Sequence, residues 1–133
     1  MSRSAIYVAN TGSQNIPVDG EINLGTVIRR FGQNVTLSGN GLRLEGQGYY
    51  NINASFTATP TGAGTVTITA YANGVAIPGA TASETVAGAA TTVNLSIDAL
   101  YRLVCPCEGA TITFVLSGIS STVTNSAIVV DKL

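Results

Sequence analysis

Apolar and polar residues alternate one by one in block after block of this chain, and this period of two is what most restricts its fold. In residues 50–58 the even-numbered positions 52, 54, 56 and 58 are apolar, whereas 51, 53, 55 and 57 are Asn, Asn, Ser and Thr. Such a strand buries one face and leaves the other in solvent. The pattern recurs at 65–71, 93–98 and 111–116, and no segment has the period of an amphipathic helix. We therefore expect an all-β fold.

Turn residues divide the alternating segments into about ten short strands. Asn73-Gly74 separates two of them and predicts a two-residue hairpin, and Pro78-Gly79 predicts a further turn. Many short strands without a helix are typical of an antiparallel β-sandwich or barrel. We predict a single domain over residues 1–133, an antiparallel β-sandwich whose first 30 residues form a looser strand-and-loop region.

Two segments near the carboxyl end allow sharper predictions. The nearly continuous apolar run at 100–104 predicts a strand that is partly covered on both faces. Residues 123–132 form the last strand and run almost to the chain end, so we expect that strand to be central. Truncation of this tail should therefore be poorly tolerated.

Composition and charge exclude several classes of function. Hydrophobic residues make up 45% of the chain and charged residues 10%, which is not the composition of a disordered protein. The six basic residues are scattered apart from the pair Arg29-Arg30, so there is no basic footprint for nucleic acid. The amino terminus lacks the apolar run of a signal peptide or membrane helix. We expect synthesis in the cytoplasm and no membrane insertion.

The chain contains no histidine, which removes the commonest general base and the commonest metal ligand. The seven carboxylates lie in separate turns or on strand faces that we expect to be exposed, not in pairs. Asp19-Gly20-Glu21 is interpreted as a turn because three residues fall far short of a calcium loop. We expect no catalytic residue, no cofactor and no enzymatic activity.

Three motifs carry a resemblance to a known family. Gly48-Tyr-Tyr-Asn51 opens a strand, Ala72-Asn-Gly-Val75 follows, and Asn125-Ser-Ala-Ile-Val-Val-Asp-Lys-Leu133 closes the chain. This pattern resembles the C1q/TNF-like jelly rolls, and it is most similar to bacterial collagen-like spore-surface glycoprotein heads and small phage or prophage-encoded structural proteins of Firmicutes. The resemblance implies an antiparallel jelly-roll β-sandwich of about ten strands that forms a homotrimer, with a role in display, adhesion or receptor binding. The chain has no collagen-like stalk, which favours the phage type.

Two further features bear on a homotrimer. Charges are few, and outward residues such as Tyr71 and Val115 are apolar, as at an interface. Cys105 and Cys107 are too close in sequence to form a relaxed disulfide with each other, and one chain supplies only two of the four ligands of a structural zinc site. Near a three-fold axis, six sulfurs could bind a metal or form interchain disulfides. The alternative is that these cysteines simply pack.

The polar sides of two strands are predicted to provide a ligand face of Asn51, Asn53, Thr57, Thr67 and Tyr71. Amide, hydroxyl and aromatic groups of this kind bind sugars, although the same residues also suit a solvated sheet face that binds nothing. Arg29-Arg30 also has two interpretations. The pair contacts an anion or another subunit, or it lies at a strand end and is bonded to a neighbouring carboxylate.

Two hypotheses for function follow. The first is a non-enzymatic, homotrimeric phage structural protein: a virion decoration, fibre head or receptor-binding module. Its three sites would bind a cell-surface glycan or another virion protein together. The second is a bacterial carbohydrate-binding, lectin-like or surface adhesin module. Both hypotheses place the assembled protein on a virion or a cell surface.

Overall fold

The computed structural model describes residues 3–88, 91–104 and 109–133, and over these residues two antiparallel sheets pack face to face. Sheet I contains β1 Ser4–Asn10, β2 Gln14–Ile16, β4 Thr26–Phe31, β7 Gly48–Pro60, β10 Val93–Leu103 and β12 Ser121–Lys132. Sheet II contains β3 Gly20–Glu21, β5 Val35–Ser38, β6 Gly41–Leu44, β8 Gly64–Ala72, β9 Val75–Val86 and β11 Ala110–Ser117. In the part of the chain so described, no helix is long and apolar enough to cross a membrane.

The strand order confirms the predicted antiparallel β-sandwich. Sheet I has the order β10-β7-β12-β1-β4 with β2 beside β12, and sheet II has the order β5-β6-β11-β8-β9 with β3 beside β11. The chain therefore crosses repeatedly from one sheet to the other, as between β10, β11 and β12. As predicted, the last strand is central, because β12 lies between β7 and β1.

The strand count differs from the prediction of about ten, since the described residues form twelve strands. The extra strands include β2 and β3, which are three and two residues long and too short to show alternation. The hairpin at Asn73-Gly74 is confirmed, with both residues at positive φ. The turn predicted at Pro78-Gly79 is wrong. That dipeptide lies within β9, in a bulge of an edge strand, where a proline without an N–H is tolerated.

The core lies between the two sheets. Phe56 of sheet I packs against Phe114 of sheet II, with ring centroids 5.3 Å apart. Tyr50 is fully buried at one end, where its single O–H donor is shared between the backbone carbonyl oxygens of Glu45 and Gly46, at O···O distances of 2.7 and 2.6 Å. Together these contacts join the two layers and hold the loop after β6 against them.

Ser126 provides a first test of this packing. Its hydroxyl is buried in the core and has no hydrogen-bond partner among the described residues. Because a buried, unsatisfied polar group is unfavourable, we expect Ser126→Ala to raise the free energy of unfolding by about 1 kcal/mol. Ser121 is the matched control, since its buried hydroxyl donates to the Ile119 carbonyl at 3.2 Å, and Ser121→Ala should lower stability. Urea unfolding measures both changes, and a less stable Ser126→Ala protein would contradict the packing.

Tyr50 predicts a loss of stability at alkaline pH. Burial, and secondarily the Glu45 carboxylate, raises the pKa of the Tyr50 hydroxyl above its ordinary value. The folded chain thus holds this proton more tightly than the unfolded chain does. The resulting stability is fully present below about pH 10, the ordinary tyrosine pKa, and is lost as pH rises through the folded value. Urea midpoints between pH 7 and 11 should fall less steeply for Tyr50→Phe than for the wild type, although Tyr50→Phe starts lower at pH 7. If the urea midpoints of the two proteins fell equally steeply with pH, the Tyr50 hydroxyl would not be the source of the alkaline loss of stability.

Candidate interaction surface

The outer face of sheet I changes from polar to apolar along its strands. At one end polar side chains pair across strands, as where the Thr57 hydroxyl donates to the Asn94 side-chain oxygen at 2.9 Å. The middle carries the small residues Ala9, Ser55, Ser96 and Ala127, which are aligned across four strands. The other end carries the apolar residues Ala5, Tyr7, Phe31, Leu100 and Val129, here called the apolar end, and the outward positions among them are Arg29, Asn51, Asn53, Asp98 and Asp131.

Several side chains of the apolar end are open to solvent. The exposed fractions are 62% for Phe31, 56% for Leu100 and 38% for Val129. A recess of about 100 Å³ lies at the β4 side, lined among others by Tyr7, Phe31 and Val129. Large apolar side chains grouped on one outer face are typical of a surface that another molecule covers.

The prediction that residues 100–104 are covered on both faces is wrong for the single chain. Leu100 projects from the outer face of sheet I and Val104 follows β10, and their exposed fractions are 56% and 60%. The reason is that the described residues form two layers, and none of them forms a third layer over the outer side of β10.

The outer face of sheet II is different, because a ladder of hydroxyl groups dominates it. Thr65 pairs with Thr85 at 2.9 Å, Thr67 with Ser83 at 3.0 Å, and Thr81 with Thr69 at 3.3 Å. Tyr71 and Val115, which the sequence suggested as interface residues, are half-buried on this face among threonines. The larger apolar surface lies on the opposite side of the sandwich.

The five residues of the predicted ligand face do not form one face. Asn51, Asn53 and Thr57 lie on the outer face of sheet I, whereas Thr67 and Tyr71 lie on the outer face of sheet II. The single face is therefore wrong, because β7 and β8 are consecutive in sequence but belong to different sheets. Ligand binding by either group stays a prediction.

The remaining candidate residues have different outcomes. The Arg30 Nε donates to the Val35 carbonyl oxygen at 3.0 Å, whereas Arg29 is exposed on the outer face of sheet I. The turn predicted at Asp19-Gly20-Glu21 is confirmed only at its start, where Asp19 has positive φ and the Gly20 N–H donates to the Pro17 carbonyl oxygen; Gly20 and Glu21 form β3. Cys105 and Cys107 lie outside the described residues, so their metal and disulfide alternatives stay predictions. Within the described ranges, no group of three or more acidic or cysteine side chains could hold a metal ion.

No protein family and no curated protein matches the sequence. Solved structures do match over nearly the whole chain. Murine APRIL has a TM-score of 0.73 at 10% identity and covers 99% of this chain and 100% of its own. PRD1 vertex protein P5 matches with a TM-score of 0.66 at 16% identity, over 98% of this chain and 96% of that chain. The globular domain of zebrafish complement 1qA matches with a TM-score of 0.64 at 10% identity, over 97% of this chain and 95% of that chain. The fold is the TNF/C1q-like jelly roll. The closer likeness to bacterial and phage proteins stays a prediction.

Within this jelly roll, the sequence analysis overlooked the apolar end. A signal was available, since Tyr7 lies between the buried residues Ile6 and Val8, and Val129 lies between Ile128 and Val130. In a strand whose residues alternate between inward and outward positions, an apolar residue at an outward position indicates that another molecule covers that face. Local alternation does not show, however, which strands are neighbours, so these residues could not be recognised as one surface.

Proposed function

We propose that this jelly roll is a non-enzymatic structural and interaction module that works as a homotrimer on a phage virion. It would serve there as a decoration, fibre head or receptor-binding module. The apolar end of sheet I carries the proposal, because it places several large, solvent-exposed apolar side chains on one outer face. The trimer is the assembly that the resemblance of the sequence implies.

The polarity of the two outer faces supports a division of roles. Covering the apolar end would remove Phe31, Leu100 and Val129 from water. The outer face of sheet II would then point away from the contact and stay open to a ligand. Three copies of that face would bind a multivalent surface more tightly than one copy does, by raising the effective concentration.

Two observations support the absence of catalysis and the virion role. The sequence has no histidine, and the carboxylates of the described residues lie on separate strands or in separate turns. One of the matched structures is a vertex protein, that of PRD1, and the likeness spans nearly the full length of both chains. The same fold hosts many functions, so the role is argued from the surface of this chain.

The oligomeric state tests the proposal. Val129→Lys places a charge in the apolar end, so we expect a folded monomer of 13.5 kDa. Val115→Lys is the matched control, because Val115 also projects outward from an inner strand, but from sheet II and opposite Glu21. Light scattering should give three times 13.5 kDa for the wild type and the control, with circular dichroism confirming that all three proteins are folded. A monomeric wild type, or an unaffected Val129→Lys trimer, would contradict the proposal.

A second candidate function is carbohydrate binding by a bacterial lectin-like or adhesin module. The outer face of sheet II favours it, because the hydroxyl ladder lies beside the half-buried ring of Tyr71. In each hydroxyl pair one group donates to the other, which leaves one donor and several acceptor positions for a polyol.

Glycan arrays probed with the wild type and with Tyr71→Ala test this candidate. If the face binds sugar, we expect retention on specific glycans that Tyr71→Ala reduces at least about 10-fold. Thr57→Ala, on the outer face of sheet I, is the control and should bind as the wild type does. The absence of any retained glycan, or equal retention by both variants, would rule out the sheet II face.

A further inference from the structure

Two asparagines of this chain are each followed by a glycine, Asn40 by Gly41 and Asn73 by Gly74, and each asparagine lies in the turn of a hairpin. The side-chain carbon of an asparagine can be attacked by the backbone nitrogen of the next residue, which closes a succinimide ring. A following glycine favours this attack, since it has no Cβ to obstruct the approach and lets the backbone rotate. In a free chain both dipeptides would therefore react readily, and the fold decides which of them still does.

Asn73 is held by hydrogen bonds of both its backbone and its side chain. Its N–H donates to the Thr111 carbonyl oxygen at 3.0 Å, and its side-chain oxygen accepts from the Thr111 N–H at 2.9 Å. The side-chain nitrogen donates to the Gly109 carbonyl oxygen at 3.4 Å. The Asn73 amide group is thus fixed toward β11, and its Cγ can reach the Gly74 nitrogen only after both side-chain bonds break.

Asn40 lies in a turn of the same length but has no such contacts. It connects β5 to β6 together with Gly39, and both residues are exposed. Its side chain makes no hydrogen bond with any residue that the structure describes. Around Gly39 the space is open, because a Cβ built there would meet nothing within 4 Å. The Asn40 amide group can therefore rotate toward the Gly41 nitrogen.

The backbone that carries the attacking nitrogen also opens more easily at this turn. Gly41 pairs with Ser38 at the end of the hairpin, so this pair must separate before the ring closes. The strand β5 is only four residues long and lies at the edge of sheet II, where β6 is its partner. Short segments with few buried contacts open locally at the lowest free energy. The turn at Asn73, by contrast, is bonded to the inner strand β11.

We propose that Asn40 is a self-modification site, where the chain converts its own asparagine to isoaspartate and aspartate, whereas Asn73 is protected by the fold. The Gly41 nitrogen attacks the Asn40 Cγ, and a bond between them forms as the bond from Cγ to Nδ2 breaks. Nδ2 leaves as ammonia with the amide proton of Gly41. One water molecule then adds to either carbonyl carbon of the ring and opens it. The new carboxylate adds one negative charge to the net charge of −1.

The isoaspartate product changes the hairpin as well as the charge. In isoaspartate the main chain runs through the former side-chain carbons, so one additional carbon separates residue 40 from Gly41. A two-residue turn fixes the register of its strands. Gly41 has no room to move, because it is buried and a Cβ there would lie 2.6 Å from the Thr111 side chain. The lengthened turn therefore shifts Ser38 from its place opposite Gly41, and β5 with its buried Val35 is held less firmly.

Peptide mapping by mass spectrometry during storage at neutral pH tests the proposal. In the folded protein Asn40 should convert at least about 10-fold faster than Asn73, because two side-chain hydrogen bonds of Asn73 must break first. In guanidinium chloride the fold is absent, and the two rates should agree within about 3-fold. Asn40→Ser removes the site, so the acidic form that ion exchange separates from the aged wild type should be missing from this variant. Equal rates at Asn40 and Asn73 in the folded protein, or faster conversion at Asn73, would overturn the proposal.

A second measurement tests the effect on the hairpin. The acidic fraction of the aged wild type should unfold at a lower urea concentration than Asn40→Asp does. Asn40→Asp is the matched control, since it carries the same added charge on an unaltered backbone. Equal urea midpoints would show that the isoaspartate leaves β5 in place, and this part of the proposal would then be wrong.

Discussion

Two layers of strands have only one shared core, and this constraint governs everything else in the structure. Side chains alternate strictly along a strand, so each strand that fills the core also presents a second row of side chains to the outside. Phe56 and Phe114 meet inside because their strands belong to opposite sheets. The same alternation leaves Tyr7 and Val129 outside, where no part of the described chain covers them. Apolar side chains on an outer face therefore cannot be buried within the described chain. The two outer faces determine which molecules the protein can contact.

The contrast between those two faces connects structure with function. On sheet II the outward rows are threonines and serines that pair across strands, an arrangement well suited to water or to a polyol. On sheet I exposed apolar side chains such as Phe31, Leu100 and Val129 lie toward one end of the outer face. A module with one face for its own copies and one face for a ligand can display several binding surfaces at once. This division is what a virion decoration or a receptor-binding module requires.

Much of the fold could be predicted because its main signals are local. Alternation in residues 50–58 placed Ile52 and Phe56 inside correctly, and Asn73-Gly74 placed a hairpin correctly because both residues accept positive φ. Strands of two or three residues carry too little alternation to be recognised, and the bulge at Pro78-Gly79 resembles a turn. Pairing between distant strands was not predictable. Thus β7 and β8 were treated as one ligand face although they lie in different sheets, and the pairing of Tyr7 with Val129 across β1 and β12 could not be predicted.

Hydroxyl-radical footprinting tests the central claim, that other copies of the chain cover the exposed apolar side chains of sheet I, most directly. The wild type would be oxidised above and below the concentration at which its assembly dissociates, and the oxidation of Phe31 on sheet I would be compared with that of Tyr71 on sheet II. The account predicts that Phe31, which is 62% exposed in the single chain, is protected in the assembled protein, whereas Tyr71 is oxidised equally in both samples. Equal oxidation of Phe31 above and below that concentration would contradict it.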